Sequence, residues 1–170
     1  SVLVSRGLDL GYNISQGDIH TVPLPKVDFY LLYEVVEHLV NPLGLLHTIK
    51  SKMSPGAHLI VTTPNADGFE NVTVPPETEG RFLASALFPP YHLNAFSLKS
   101  FYYLCLQSGF DIVDASTPGT LDLSIVNYHN SFLDKLNIFE SEPAFISWQE
   151  SLKASNGSGH MQFILRKTDT

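Results

Sequence analysis

The sequence predicts an α/β fold with a mostly parallel sheet, and three of its features indicate this. Residues 27–33 form a nearly continuous apolar run rich in aromatics, which is typical of a strand buried on both faces. An amphipathic helical pattern follows, and residues 58–63 then give a second buried strand that ends at Pro64. A strand, a crossover helix and a strand of this length favour a parallel pair with a right-handed connection.

The helix between these strands has clear boundary residues. Asn41 provides an N-cap side chain, and Pro42 takes the first helical position, where proline is favoured. Apolar residues recur at helical spacing along the segment, at Leu43, Leu46, Ile49 and Met53. We therefore expect an amphipathic helix that ends at Pro55-Gly56.

Residues 65–96 are predicted to form a long loop, because they carry four prolines, two glycines and no sustained hydrophobic period. Loops of this length in compact domains are usually lids or substrate-contacting segments, so we expect a lid-like loop. Ser97 is then expected to cap a helix that runs to about residue 107 and ends at Gly109. Residues 110–115 follow as an alternating strand.

The last part of the chain completes the domain. Residues 121–154 are predicted to be mainly helical, and residues 160–165 form a final strand. With 170 residues, 44% of them apolar, the chain can bury one sizeable core. We therefore expect a single domain over residues 1–170.

Composition and charge exclude several classes of protein. The 17 acidic residues outnumber the 10 basic ones, and the net charge of -7 argues against a nucleic-acid partner, which needs clustered lysine and arginine. Cys105 is the single cysteine, which excludes an intramolecular disulfide and a cysteine zinc site. No apolar run approaches the roughly 18 residues of a membrane span. We therefore expect an intracellular, cytoplasmic protein.

Six short motifs occur in a characteristic order along the chain. They are Gly17-Asp18-Ile19, Val27-Asp28-Phe29, Glu34-Val35-Val36-Glu37-His38-Leu39-Val40-Asn41-Pro42, Pro55-Gly56, Thr63-Pro64-Asn65 and Ser108-Gly109-Phe110. This order resembles the class I S-adenosylmethionine-dependent methyltransferases over about residues 7–167, and most closely the ubiquinone-biosynthesis-like O-methyltransferase branch. The resemblance implies a Rossmann-like seven-stranded sheet whose last strand runs antiparallel between the fifth and sixth. The four predicted strands correspond to the family's fourth to seventh.

One part of the family pattern has no recognisable counterpart, namely the first strand and its glycine-rich loop. Residues 7–13 lack the second and third glycines and lie too close to Asp28 to leave room for the intervening strands and helices. We expect residues 1–11 to be the end of the second crossover helix, and the whole chain to be an N-terminally truncated portion of a longer domain. Loss of the first strand would expose an apolar edge of the fourth, so we expect a homo-oligomer formed through that edge.

Four residues are expected to contact the cofactor, S-adenosylmethionine. The family often places an acidic residue at the position of Asp18, where it accepts a hydrogen bond from the adenine amino group, and Ile19 would lie against the ring. Tyr33 and Glu34 come at the carboxyl end of the fourth strand, where open α/β sheets bind ligands. The alternatives are a turn role for Asp18, since Gly-Asp favours turns, and a core role for Tyr33.

A second group of residues is suited to metal binding or catalysis. Glu34, Glu37 and His38 are spaced i, i+3 and i+4, so on one helical turn they would share a face and could hold Mg²⁺ or Zn²⁺. The pattern resembles the metal site of some ubiquinone-type and small-RNA methyltransferases, and His92 resembles the histidine that completes it. Without a metal, His38 or His92 is a candidate general base, because imidazole titrates near neutral pH. The remaining interpretation is a structural turn anchored by glutamate.

The leading hypothesis is an enzyme that transfers a methyl group from S-adenosylmethionine to O or N of a small-molecule acceptor. Four aromatic residues of the long loop are candidates for an apolar acceptor pocket and equally for lid packing: Phe82, Phe88, Tyr91 and Phe96. The alternative hypothesis is a truncated, non-catalytic methyltransferase-like domain that serves as a binding or interaction module.

Overall fold

The strands of the protein form one sheet in a computed structural model that describes residues 2–73, 87, 89–120 and 142–168. In chain order the elements are α1 (Val2–Asp9), β1 (Phe29–Tyr33), a 3₁₀ turn (Val36–His38), α2 (Pro42–Lys52), β2 (His58–Pro64), α3 (Phe69–Thr73), α4 (Leu98–Gln107), β3 (Asp111–Ser116), α5 (Glu142–Ala154) and β4 (His160–Arg166). The predicted strands are therefore confirmed to within a few residues.

The sheet has the strand order β1, β2, β4, β3. β1 and β2 are parallel, whereas β4 lies antiparallel between β2 and β3. This arrangement confirms the predicted α/β class and the antiparallel last strand. Because β4 runs opposite to its neighbours, its first residue, His160, lies beside Pro64 at the edge where β1 and β2 end.

The core forms between one face of the sheet and the helices α2 and α4. Its members, all nearly or fully buried, include Leu46, Ile49, Leu59, Val61, Phe101, Cys105, Phe163 and Leu165. Burial of each large apolar side chain contributes about 1.5–3 kcal/mol. Both helices begin as predicted: Asn41 Oδ1 accepts a hydrogen bond of 2.9 Å from Gly44 N, and Ser97 forms a capping box with Ser100.

The structure corrects the prediction that the first strand is buried on both faces. Phe29, Leu31 and Tyr33 of β1 are 64%, 76% and 75% exposed. Their neighbours Tyr30 and Leu32 pack against the core instead. β1 therefore covers the core with one face only and forms the outer strand of the described sheet.

Two other segments differ from expectation. Residues 10–28 contain no strand, and the helix expected within residues 1–11 is present as α1. The segment predicted as a loop contains the short helix α3, and the rest of it from 74 to 86 lies outside the described residues. Of the helical region predicted at 121–154, the structure describes α5, and residues 121–141 lie outside the described part.

A buried asparagine fixes the turn that precedes β4. Asn65 is fully buried, and its Nδ2 donates a 2.9 Å hydrogen bond to the carbonyl oxygen of Ser158. Its backbone N–H donates to Gly159 O at 2.7 Å. A Cβ on Gly68 would lie 2.5 Å from the Gly159 Cα atom, so the two loops cross here only because glycine is present. This packing sets the position of His160, the next residue.

Candidate functional site

The carboxyl edge of the sheet, where β1 and β2 end and β4 begins, gathers most of the predicted site residues. Glu34 follows β1 directly, and its backbone N–H donates to Thr62 O at 3.1 Å. The 3₁₀ turn that carries Glu37 and His38 comes next. Ligands of open α/β sheets bind at this edge, so the location agrees with the prediction.

Glu37, His38 and His92 lie together at this edge, and we call them the Glu37 group. Each offers one ligand atom, and these atoms all lie within 4.8 Å of one another. The two imidazole rings are stacked, with their centroids 4.6 Å apart. Glu37 is 1% exposed, and its carbonyl oxygen accepts hydrogen bonds from Leu93 N and Asn94 N at 2.8 and 2.9 Å. These backbone bonds hold the segment that carries His92 against the turn.

The Glu37 carboxylate is only partly satisfied by its neighbours. Its Oε2 accepts a hydrogen bond of 2.9 Å from Thr63 Oγ1. Its Oε1 is buried without a hydrogen-bond partner and lies 3.4 Å from His38 Nε2. A buried carboxylate needs a compensating charge or donor, so Oε1 is the atom at which a cation would be stabilised.

The ring of His38 has a defined orientation. Its Nδ1 lies 2.5 Å from the carbonyl oxygen of Tyr91, and because a carbonyl can only accept, Nδ1 carries the proton. In the neutral ring, the lone pair of Nε2 then points toward Glu37 Oε1. Two acceptors that face each other require a positive charge, which is either a second proton on the ring or a bound cation.

The donor atoms of the Glu37 group fit a divalent metal ion. Glu37 Oε1 and His92 Nδ1 are both buried without a hydrogen-bond partner, and the Tyr91 carbonyl fixes His38 in the way that outer partners orient metal-bound histidine. One carboxylate and two imidazoles suit Zn²⁺ better than Mg²⁺, which prefers oxygen ligands.

Glu34 is not part of the Glu37 group, and the prediction that Glu34, Glu37 and His38 share one helical turn was wrong. Glu34 has a left-handed φ of 50°, and the 3₁₀ turn begins only at Val36. Its carboxylate Oε2 lies 3.4 Å from His160 Nε2, while Oε1 is buried without a hydrogen-bond partner. The side chain of Glu34 therefore points toward His160, the first residue of β4.

The pKa of Glu34 lies below its usual value. Burial raises this pKa, but the contacts with His160 and Thr62 and the charges of His160 and His92 together outweigh burial. Glu34 is therefore a carboxylate at neutral pH.

Glu34 and His160 line a cleft of about 380 Å³, which we call the Glu34 cleft. Tyr33, Glu34 and Thr62 form one side of it, and residues 118–120 and 160–162 form the other. Its size is at the lower end of the range of small-molecule sites. A Cβ on Gly119 would lie 3.0 Å from the His160 backbone nitrogen, so the wall formed by residues 118–120 approaches β4 closely because residue 119 is glycine.

The Glu37 group and Glu34 lie within a segment that known proteins share. Residues 7–115, more than half of the chain, match a family model described as a methyltransferase domain. The chain belongs to this methyltransferase-domain family. No curated protein matches the chain.

The fold of this methyltransferase domain is found in solved structures of low sequence identity. A S-adenosylmethionine-dependent methyltransferase and possible histamine N-methyltransferase from Thermotoga maritima is similar with a TM-score of 0.65 and 14% identity, over 99% of this chain and 70% of that one. An S-adenosylmethionine-dependent methyltransferase from Archaeoglobus fulgidus is similar with a TM-score of 0.56 and 16% identity, over 96% of this chain and 71% of that one. The [4+2]-cyclase SpnF is similar with a TM-score of 0.53 and 18% identity, over 96% of this chain but only 58% of that one. At these identities the likeness concerns the fold alone.

The structure does not bring Asp18 and Ile19 together with Tyr33 and Glu34. Asp18 forms a turn in which its Oδ1 accepts a 2.9 Å hydrogen bond from His20 N. The Lys52 ammonium group donates to His20 O at 3.1 Å, which places this turn beside the last part of α2. Since α2 runs from the carboxyl edge toward the opposite edge, the turn lies away from the end of β1.

The aromatic residues expected to form an acceptor pocket have separate roles where the structure describes them. Phe96 packs edge-on against Phe101 in the core, with centroids 5.1 Å apart. Tyr91 is exposed and contributes its carbonyl oxygen to His38. Phe82 and Phe88 lie outside the described residues.

Sequence reasoning missed two residues of the methyltransferase domain's carboxyl edge. No motif of the sequence singles out His160, and Asn65 occurs there only within Thr63-Pro64-Asn65. The antiparallel insertion of the last strand, which the family resemblance did imply, is the feature that would have placed His160 at this edge. Among the described residues, no helix has the length and apolarity needed to cross a membrane.

Proposed function

We propose that the protein is a S-adenosylmethionine-dependent methyltransferase that transfers a methyl group to O or N of a small-molecule acceptor. The observation that carries this proposal is the match to the methyltransferase-domain family over residues 7–115. The Glu37 group and the Glu34 cleft, at the ligand-binding edge of the sheet, support it. A small molecule rather than nucleic acid is proposed as acceptor because the net charge is -7. A cytoplasmic location stays a prediction.

The cofactor supplies the methyl group on a positively charged sulfur. Transfer to the acceptor is a one-step displacement, so positioning the acceptor is the main task of the protein. Tyr33 and Glu34 are the proposed cofactor contacts at the carboxyl edge. Asp18 and Ile19 remain proposed contacts only for the adenine end, and they require a different arrangement of the 10–28 segment from the one described above.

The proton released by the acceptor is assigned to the Glu37 group. His38 is exposed and His92 half-buried, so both rings border the solvent-accessible edge. Without a metal, the Glu37 carboxylate would stabilise the imidazolium formed when His38 takes a proton. With a metal, Glu37, His38 and His92 would hold the ion, and the ion would polarise the acceptor oxygen or nitrogen. A lid formed by residues 65–96 is proposed to cover the acceptor.

A second candidate function is a non-catalytic binding module. It is favoured by the lack of a recognisable glycine-rich loop in the given sequence. The two candidates differ in whether the chain binds the cofactor at all.

The proposal is tested by titration of the chain with S-adenosylhomocysteine. Because the glycine-rich loop is missing, calorimetry is expected to show no saturable binding near micromolar concentration. At millimolar concentration, amide NMR signals of Tyr33, Glu34 and Thr62 are expected to shift, and those of α4 are expected not to. Micromolar binding would show that residues 7–13 act as a substitute loop. The absence of any local shift would contradict the proposed function of this chain and favour the binding module.

A further inference from the structure

The charges that line the Glu34 cleft select among acceptors. Among the described residues that line the cleft, none is lysine or arginine, and their formal charges are the Glu34 carboxylate and, when protonated, the His160 imidazole. A carboxylate or phosphate group placed in the cleft would be repelled by Glu34. An ammonium group would meet an opposite charge instead.

The cleft also presents buried oxygen atoms that need a hydrogen-bond donor. Glu34 Oε2 faces His160, but Oε1 is buried without a hydrogen-bond partner. Thr62 Oγ1, on the same side of the cleft, is buried and lacks a hydrogen-bond partner too. A threonine hydroxyl can donate as well as accept, and Thr62 contacts the Glu34 carboxylate, so the two oxygens satisfy each other only in part. Buried polar atoms in native proteins are normally paired, so the remaining acceptor sites indicate a missing donor, and a group with several N–H donors can satisfy them.

The position of Glu34 is maintained at the expense of backbone strain. A φ of 50° is unfavourable for a residue other than glycine, asparagine or aspartate. The hydrogen bond from Glu34 N to Thr62 O, at 3.1 Å, holds the residue at the end of β1. Strained residues that the surrounding structure keeps in place are concentrated at functional sites. The close approach of Gly119 to His160 closes the opposite wall.

We propose that the Glu34 cleft binds the acceptor through a protonated amine. This inference rests on the proposed function and changes one part of it: Glu34, proposed above as a cofactor contact, is assigned to the acceptor. The acceptor is then a small molecule that carries an ammonium group as an anchor. The anchor is not the methylated atom, because a protonated nitrogen has no lone pair with which to accept a methyl group. The hydroxyl or second nitrogen to be methylated lies elsewhere on the same molecule.

The test uses three probes of matched shape and different charge. Benzylamine, benzyl alcohol and benzoate are each titrated into the full chain at neutral pH, without the cofactor, and binding is followed by amide NMR shifts. Benzylamine is expected to bind saturably and to shift Thr62, His160 and Gln162. Benzyl alcohol is expected to bind at least about tenfold more weakly, because it lacks the charge-assisted hydrogen bond. Benzoate is expected to cause no shift at these residues.

Variants identify the group that binds the amine. Glu34→Gln is expected to weaken benzylamine binding by about tenfold or more, and Thr62→Val by about twofold to fivefold, because each removes one acceptor. Thr62→Val provides a second test should Glu34→Gln fail to fold. Asp111→Asn is the matched control. Asp111 is a surface carboxylate at the start of β3, at the edge of the sheet opposite the cleft, and its Oδ2 lies 2.9 Å from Arg166 Nη2. This control is expected to bind benzylamine as the native chain does.

The outcomes separate this inference from the proposed function. Equal binding of benzylamine and benzoate, no saturable binding of benzylamine at millimolar concentration, or unchanged binding in both cleft variants would overturn the amine anchor. None of these results depends on S-adenosylhomocysteine. Conversely, the absence of any local shift with millimolar S-adenosylhomocysteine would contradict the proposed methyltransferase and leave selective benzylamine binding as a property of the cleft itself.

Discussion

Removal of the Thr63 hydroxyl group tests whether the buried Glu37 carboxylate depends on its hydrogen bond. Thr63 is 1% exposed, and its Oγ1 donates to Glu37 Oε2 at 2.9 Å. Thr63→Val keeps the branched shape and removes the donor. A hydrogen bond to a charged group contributes about 1.5–3 kcal/mol, so the free energy of unfolding is expected to fall by that amount. For a chain of this size the melting temperature would fall by roughly 3–12 °C.

Further variants test whether the loss of stability in Thr63→Val comes from the hydrogen bond. Thr63→Ser keeps the hydroxyl and removes one methyl group, which is expected to cost about 1 kcal/mol. In a Glu37→Gln background the hydrogen bond is between neutral groups, so Thr63→Val is expected to cost only about 0.5–1.5 kcal/mol. The difference between the two backgrounds is the coupling energy of a double-mutant cycle.

Urea unfolding followed by circular dichroism measures the free energy of unfolding of the native chain and of the four variants. The reasoning would be refuted if Thr63→Val were as stable as the native chain or more stable than Thr63→Ser. An identical cost of Thr63→Val with and without the Glu37 carboxylate would show that the hydroxyl stabilises β2 and not the Glu37 group.

Three other predictions concern the carboxyl edge and the exposed strand. If the Glu37 group holds a metal ion, any methyltransferase activity of the protein is expected to fall with a chelator, to recover with added Zn²⁺ and to be lost in Glu37→Gln. If a histidine is the base, the chelator has no effect, and His38→Ala or His92→Ala slows turnover by roughly 10²–10⁴-fold. Activity that resists the chelator and all three substitutions would leave the group as a structural turn. The pKa of Glu34 lies below its ordinary value of 4.5, so the ionised carboxylate stabilises the fold above that pH. The native chain is therefore expected to be more stable than Glu34→Gln at neutral pH, and this difference is expected to shrink as the pH falls through the folded-state pKa. A difference that grows in acid would contradict the prediction. Self-association through β1 stays a prediction, tested by sedimentation at low concentration, where a dimer is expected and a monomer would count against it.

The local elements could be predicted because their causes lie within a few residues of sequence. Asn41 and Pro42 begin α2 through a side-chain hydrogen bond and a fixed backbone angle, and neither depends on distant contacts. Gly109 ends α4 with a φ of 77°, which glycine adopts without strain. The apolar run at residues 58–63, the alternation at 110–115 and the final segment 160–165 likewise placed β2, β3 and β4 close to their observed bounds.

The exposure of β1 could not be predicted from its composition. A continuous apolar run fits a strand covered on both faces, but the run contains no information about which elements are present to cover it. In the structure α2 and α4 cover the face that carries Tyr30 and Leu32, and Leu31 on the other face remains 76% exposed.

The sequence by itself determined the α/β class, the methyltransferase-like order of its motifs and the candidacy of Glu37, His38 and His92, because residue types and short spacings carry that information. Tertiary structure decided which of the candidates meet. Glu34 left the predicted helical face because its backbone hydrogen bond to Thr62 keeps it at the strand end with a left-handed φ. Its partner became His160 because β4 inserts antiparallel between β2 and β3, which brings the first residue of the last strand to the edge where the earlier strands end. Such a pairing depends on sheet order, and sheet order is set by contacts between residues far apart in the chain.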